Sequence, residues 1–247
     1  MIKIEKTVLP SPEQWEIIIE GMRNPMNSWD RMDSEICLGA DGFEDCTVSI
    51  TGVCPRHEDF KDDVFCLGKN DYKLMMNLAD GGAVHAKYRR MIVVYMTINA
   101  PLYWWKEFDT YKVGTVCNSC STMHKIHSKE FTRDDFGCEH LIDVPLVETK
   151  PGIVEQYNIQ ATAMLDIIIS ILNSSRAMFL KTGDKKWWWQ MIQLLPTSYN
   201  QKRTVMLNYE VLTNIYHSRK NHKLDEWHIF CDWIRGLPYS ELITGGE

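Results

Sequence analysis

The sequence predicts a mainly helical α+β fold with a small antiparallel sheet. Apolar residues keep helical spacing from Val154 to Leu180, which indicates a long helix. Met91–Ile98 is a short apolar run typical of a buried strand. Of the 247 residues, 45% are hydrophobic and 24% are charged, which is the balance of an ordinary globular protein. We therefore expect one domain over residues 1–247.

The N-terminal third contains two predicted helices and an irregular insertion. Ser11 followed by Pro12 is a typical helix start, and this helix should run to about Gly21. Residues 35–66 contain Gly, Asp and Cys with little periodicity, so we predict an irregular, Cys-containing insertion there. A short helix over Asn70–Asp80 should begin at an Asn cap and stop at the two glycines that follow it.

The segment after the apolar strand is rich in polar groups. Ala100-Pro101 should lead from the strand into a Trp-rich helix, and we expect a second helix over Asn118–His127. Many hydrogen-bonding side chains directly behind a buried strand indicate a site for a polar ligand. These side chains are Lys106, Glu107, Asp109, Tyr111, Lys112, Asn118, Ser119 and Ser121.

The C-terminal half is predicted to be helical throughout. The helix over Val154–Leu180 is apolar around much of its circumference, so we expect it to be the central buried helix, ending at Gly183. Three further helices are predicted over Trp187–Leu195, Thr204–Arg219 and Leu224–Arg235.

The predicted helix Thr204–Arg219 carries Asn208, Asn214 and Arg219 along or beside an apolar stripe. Arginine suits the capture of a phosphate or carboxylate, because its guanidinium makes two parallel hydrogen bonds. The alternative is that both amides are solvated and that Arg219 only balances the helix dipole. Spacing alone favours this alternative.

Composition restricts the possible partners and the compartment. The net charge of −6 argues against general nucleic-acid or membrane-surface binding. The charged N-terminus is unlike a signal peptide, and the apolar run Ala161–Leu172 is interrupted by Asp166 and Ser170, so no membrane span is predicted. We therefore expect a cytoplasmic protein whose eight cysteines are thiols or metal ligands rather than disulfides.

No metal site is predicted. Cys54 and His57 have the two-residue gap of a zinc knuckle, but the spacings in the insertion follow no standard pattern, so separate thiols are favoured. Cys120, His124 and His127 would share one face of the predicted helix over Asn118–His127, yet they fall within the polar segment. The weak candidates in the insertion are Cys37, Cys46, Cys54, His57 and Cys66.

Taken together, the central and C-terminal segments resemble the flavin-dependent thymidylate synthases. That family has an alanine-proline pair leading into a helix, an Arg-His-Arg triplet, an Asn-Glu-x-Ser run and a later Leu-Pro-to-Arg segment. At the triplet this chain reads Thr110-Tyr111-Lys112. The residues that carry the resemblance are Ala100-Pro101, Lys106-Glu107-Phe108, Asn118, Ser121, Leu195-Pro196, Asn208, Asn214, Arg219 and His222.

The resemblance implies a cytoplasmic homotetrameric flavoprotein that binds FAD and a dUMP-like pyrimidine deoxynucleotide. It implies a methyltransferase reaction of nucleotide biosynthesis, in which a one-carbon group passes to C5 of the uracil, with NADPH and methylenetetrahydrofolate as co-substrates. The implied catalytic residues are Arg219 and Ser121. The implied flavin-binding residues are Asn208, Asn214, His222 and Tyr111, and the implied nucleotide-binding residues are Lys112, Glu107, Ser121 and Arg219.

Three functional alternatives stay open on the sequence. The chain is a thymidylate synthase with an altered triplet, a relative that modifies a pyrimidine nucleotide in another way such as hydroxymethylation, or a non-catalytic nucleotide- or flavin-binding protein that keeps the fold. A competing class is a metal-stabilised interaction protein that uses the insertion at about 35–66 as its partner surface.

Overall fold

A computed structural model gives the fold and describes residues 1–37, 64–144, 147–155 and 160–246. The described chain forms two compact units. The first unit combines residues 1–5, 97–110 and 118–204, and the second combines 6–96, 111–117 and 205–247. Since these units are interleaved along the chain, the expectation of one domain over 1–247 stays a prediction.

The strands build one four-stranded sheet and two small hairpins. The four-stranded sheet has the order β1-β4-β8-β5, and β2–β3 and β6–β7 are antiparallel pairs. In chain order the described strands are β1 (Lys3–Val8), β2 (Glu35–Cys37), β3 (Val64–Cys66), β4 (Val93–Pro101), β5 (Val116–Ser119), β6 (Val147–Lys150), β7 (Ile153–Glu155) and β8 (Asn200–Asn208).

The helices begin and end at residues suited to those positions. Ser11 forms a capping box with Gln14 ahead of Pro12, and Gly183 ends the longest helix in a left-handed conformation at φ +67°. The described α-helices are α1 (Pro12–Arg23), α2 (Lys69–Asp80), α3 (Leu102–Phe108), α4 (Ala161–Thr182), α5 (Lys185–Leu194), α6 (Tyr209–Arg219), α7 (Asp225–Arg235) and α8 (Glu241–Thr244).

A buried ionic network ties α1 to α2 in the second unit. Arg23 and Asp71 are almost fully buried and form an ion pair. The other carboxylate oxygen of Asp71 accepts hydrogen bonds from the backbone N–H of Asp33 and from the N–H and hydroxyl of Ser34. Asp33 in turn caps α2, because it accepts from the backbone N–H of Asn70 and Asp71.

The first unit is organised around the α4–α5 hairpin. Leu165 and Leu172 of α4 and Met191 of α5 belong to one apolar cluster with Phe136 and Tyr199. At the start of α3, the backbone N–H groups of two residues donate to carbonyls of the segment that leads into β8. The Trp-rich helix is thereby held directly behind β4, as the sequence predicts.

α4 differs from its predicted role as the central buried helix. Only Leu165, Leu172 and Ser175 are buried, while apolar side chains such as Ile167 (52% exposed) face solvent. Among the described ranges, α4 is also the one helix long and apolar enough to cross a membrane by length and composition, with 17% of its most apolar window buried. The apolar run Ala161–Leu172, from which no membrane span is predicted, forms the first part of this 22-residue helix, and length and composition alone are weak evidence for a span.

Two further predicted helices are wrong, one in part and the other entirely. Residues 200–208 form β8 instead of the first turn of a helix, because Gln201, Val205 and Leu207 alternate inward with strand periodicity. Residues 118–127 contain the end of β5 and turns rather than a helix. The remaining helices match their predictions within a few residues, and α4 begins seven positions later than Val154. The α+β, mainly helical class is confirmed.

The start and end of the predicted irregular insertion are paired strands. Cys37 of β2 lies opposite Val64 of β3, so the chain enters and leaves the insertion at one hairpin. Cys46, Cys54 and His57 lie outside the described residues, whereas Cys66 is buried in the second unit. In the part of the chain that the structure describes, no group of three or more His, Cys, Asp or Glu side chains could hold a metal ion.

Candidate functional site

The centre of the candidate site is the guanidinium of Arg219 at the end of α6. Its Nε donates a hydrogen bond of 2.9 Å to the hydroxyl of Tyr111. Its Cζ lies 5.6 Å from the ring centroid of Tyr111 and 4.8 Å from that of Trp227, both within cation–π range. The two rings are 6.2 Å apart and nearly perpendicular. The structure therefore brings two predicted site residues, Arg219 and Tyr111, into direct contact.

His222 also contacts this tryptophan. Its ring centroid is 6.3 Å from that of Trp227, and its Nδ1 accepts a hydrogen bond of 3.2 Å from the backbone N–H of Leu224. A neutral imidazole that accepts at Nδ1 carries its proton on Nε2. His228 contacts the backbone carbonyl of His222 at 2.5 Å, which adds a second attachment at the start of α7.

Asn208 and Asn214 occupy different environments from those predicted. Asn208 is the N-cap of α6, where its side-chain oxygen accepts from the backbone N–H of Val211 at 3.1 Å. Its amide nitrogen remains the group suited to donate to a ligand. Asn214 is exposed on the surface of α6. The predicted placement of Asn208 within the helix is wrong, because the helix begins only at Tyr209, whereas Asn214 lies on the helix as predicted.

The segment after Tyr111 follows α6 back toward its N-terminus. Lys112 is exposed, and the backbone then turns at Gly114 with φ +79°. A Cβ atom on Gly114 would lie 3.0 Å from Val211 Cγ2 and 3.4 Å from Asn208 Nδ2. One short loop therefore contacts Arg219 at one end of α6 and approaches the cap residue at the other.

Ser121 and Glu107 belong to the first unit and are described within it. Ser121 Oγ accepts hydrogen bonds from the backbone N–H groups of Met123 (3.3 Å) and His124 (2.9 Å). Its hydroxyl proton is left to donate to an acceptor. Glu107 is half-buried near the end of α3, and its backbone carbonyl accepts from the Thr110 hydroxyl at 2.8 Å.

An arginine that the sequence analysis missed anchors the end of α3. Arg203 Nη1 donates to Asp109 Oδ1 at 2.6 Å, its Nε donates to Gln201 Oε1 at 2.9 Å, and its Cζ lies 4.2 Å from the Trp105 ring centroid. The Trp105 indole N–H also donates to the carbonyl of Gln201. This cluster fixes Asp109, which directly precedes Thr110-Tyr111-Lys112 in the chain.

Trp227 was also missed, although a signal for it exists. It falls on the apolar stripe of α7 together with Phe230, Cys231 and Ile234, all of them buried. A stripe of this kind ordinarily indicates core packing. Cys231 is no candidate nucleophile, because burial raises the pKa of its thiol to about 11.

Solved structures share this fold. Over 100% of this chain and 99% of that one, the chain matches thymidylate synthase X (ThyX) from Helicobacter pylori, solved with FAD and dUMP, with a TM-score of 0.57 and 14% identity. It also matches the UMP/dUMP methylase PolB from Streptomyces cacaoi, solved with 5-Br dUMP, with a TM-score of 0.54, 12% identity and coverage of 99% and 95%. No family model and no curated protein matches the chain.

The chain therefore has the fold of the flavin-dependent thymidylate synthases, as the sequence resemblance implies. At 12–14% identity the likeness establishes the fold, which is also that of pyrimidine-nucleotide-modifying enzymes. The chemistry of this chain has to be argued from its own residues.

Proposed function

We propose that this protein is a FAD-dependent enzyme that transfers a one-carbon group to C5 of the uracil of a dUMP-like pyrimidine deoxynucleotide. The observation that carries the proposal is the guanidinium of Arg219, held against Tyr111 and Trp227 in a fold of nucleotide-modifying enzymes. A fixed positive charge beside two aromatic rings suits an electron-rich heterocycle.

The side chains of this chain fit a phosphate-bearing nucleotide and a flavin. Lys112 has an exposed ammonium group, and Asn214 has an exposed amide. Asn208 uses its side-chain oxygen to cap α6, and its amide nitrogen is the group suited to donate to a ligand. An ammonium binds a phosphate as a point charge, and amide groups donate hydrogen bonds to ring carbonyls. Once reduced by NADPH, a bound FAD would supply the hydride that converts a methylene group into a methyl group and would itself be reoxidised.

In this proposal the protein contributes binding and electrostatics rather than a nucleophile. Arg219 stabilises electron density that develops on the pyrimidine ring, and Ser121 donates its hydroxyl proton to the nucleotide. Lys112 and Glu107 contact the nucleotide, with Lys112 at the phosphate. The residues proposed to contact the flavin are Tyr111, Asn208, Asn214 and His222. NADPH and methylenetetrahydrofolate are the proposed reductant and one-carbon donor.

We also propose that the protein works as a homotetramer in the cytoplasm. The support is α4, whose outward face carries apolar side chains that the described residues leave exposed. A helix face with several exposed apolar side chains is typical of a subunit interface. The exposed apolar side chains of α4 are Met164, Ile167, Ile171, Met178 and Leu180.

The test of the proposed function is a pair of binding measurements followed by turnover. Purified protein should take up FAD and show a flavin absorption spectrum, and the FAD-loaded protein should bind dUMP in calorimetry. Incubation with NADPH and methylenetetrahydrofolate should then yield a nucleotide modified at C5. Binding without any turnover would favour the non-catalytic alternative, and the failure of both FAD and dUMP to bind would contradict the proposal.

A further inference from the structure

We infer that Tyr111 is a positioning residue that fixes the guanidinium of Arg219, an inference that rests on the proposed function for its consequence in nucleotide binding. The hydroxyl of Tyr111 accepts the Arg219 Nε–H at 2.9 Å. The Tyr111 ring also lies beside the guanidinium, at 5.6 Å from its Cζ, and makes an edge contact with the ring of Trp227. One side chain thus supplies both a hydrogen bond and an aromatic contact.

These contacts matter because Arg219 is half-buried at the last residue of α6. An arginine side chain loses about 2 kcal/mol of rotamer entropy when it is ordered. If the Arg219 side chain is already ordered in the free protein, this entropy cost does not reduce the affinity for the ligand. A bond at Nε also sets the plane of the guanidinium, which an aromatic contact alone does not do.

Tyr111 is itself held by packing. Its ring contacts Trp227, which is fully buried in α7. Three residues further on, the Gly114 turn lies against Val211 of α6, and the backbone N–H of Thr115 donates to the carbonyl of Lys112. The Tyr111 hydroxyl therefore belongs to a loop that packs against α6, the helix that carries Arg219. Because this hydroxyl is held in place, its hydrogen bond also holds the guanidinium in place.

Tyr111→Phe tests this role, because it removes the acceptor and keeps the ring. Tyr95→Phe is the matched control, since Tyr95 is an exposed tyrosine of β4 in the same unit. We expect FAD-loaded Tyr111→Phe to bind dUMP about tenfold more weakly, because the ligand must then order the Arg219 side chain itself, with a smaller effect on the melting temperature. In an Arg219→Ala background, Tyr111→Phe should have no further effect on dUMP affinity.

A second measurement needs no nucleotide. Phenylglyoxal modifies guanidinium groups, and peptide mass spectrometry reports the rate at Arg219 itself. We expect Arg219 to react severalfold faster in Tyr111→Phe than in the wild type, with no change in Tyr95→Phe. An unchanged rate would overturn the inference, even in a protein that fails to bind dUMP. Unchanged dUMP affinity in Tyr111→Phe, alongside a loss in Arg219→Ala, would overturn it while leaving the proposed function standing.

Discussion

Gly114 lies directly against Val211, so closely that a Cβ atom on the glycine would be 3.0 Å from Val211 Cγ2. The backbone of Gly114 has φ +79°, a conformation that L side chains rarely adopt. This contact places the loop that carries Tyr111 and Lys112 along α6. The geometry of the candidate site thus depends on residue 114 being a glycine, which has no side chain.

Gly114→Ala should destabilise the protein and weaken nucleotide binding. The left-handed backbone alone costs a non-glycine residue about 1–2 kcal/mol, and the overlap with Val211 adds to this. Gly82→Ala is the matched control, because Gly82 has φ +84° with nothing within 4 Å of its would-be Cβ. Chemical denaturation should show the larger loss for Gly114→Ala. Equal losses for both variants would contradict tight packing at Gly114.

The buried pair of Arg23 and Asp71 should make stability depend on pH in the acid range. Burial alone would raise the pKa of Asp71, but hydrogen bonds from Ser34 and Asp33 and the charge of Arg23 bring it below its ordinary value of 3.8. Because the folded pKa is the lower one, the stability from this carboxylate is present above about pH 4 and is lost as the pH falls through the folded pKa.

Ser34→Ala is the variant that measures this effect, since Asp71→Asn would leave Arg23 buried without a counter-ion and could prevent folding. Loss of the Ser34 hydroxyl should destabilise the protein by about 1 kcal/mol at pH 7 and by less at pH 3. Denaturant titrations at both pH values test this. The same loss at both would show that the hydroxyl does not act through the charged form of Asp71.

Lys112→Ala should weaken the binding of dUMP more than that of deoxyuridine. An exposed ammonium acts on a phosphate as a point charge, so we expect about a fivefold loss for the nucleotide and little for the nucleoside. Lys73→Ala, which removes an exposed lysine from α2, is the control. Equal losses for nucleotide and nucleoside would remove the phosphate assignment of Lys112.

Ile167→Glu on α4 should dissociate the proposed tetramer. Ile167 is 52% exposed, and a carboxylate buried in an apolar interface has a large desolvation cost. Light scattering after size exclusion should give four subunits for the wild type and fewer for the variant. Ser170→Glu, at an exposed polar position of the same helix, is the control. A monomeric wild type would contradict the proposal.

Much of the fold was predicted from local signals, because each such signal is contained within a few neighbouring residues. The Ser11–Pro12 start of α1, the Gly183 end of α4 and the strand-to-helix passage at Ala100-Pro101 are examples. β8 was misread because its strand runs into α6 without a glycine or proline between them. α4 was misplaced because the apolar spacing of a helix does not show whether the rest of the chain buries its apolar side chains or leaves them exposed.

The candidate site was harder to predict than the fold. Sequence spacing pointed to Arg219 and Tyr111 separately, but their contact joins residues 108 positions apart. Trp227 looked like a core residue, and Arg203 stood in the connection between two predicted helices, although it belongs to β8. Contacts of this kind depend on how helices and loops pack, which local periodicity does not determine.

Calorimetry with dUMP on the FAD-loaded protein tests whether Arg219 holds the pyrimidine nucleotide. Loss of charge-assisted hydrogen bonds costs about 1.5–3 kcal/mol, so Arg219→Ala should weaken dUMP binding at least about tenfold. Flavin content and oligomeric state should stay those of the wild type. If Arg219→Ala binds dUMP with wild-type affinity, Arg219 is not the nucleotide-binding residue and the account is contradicted.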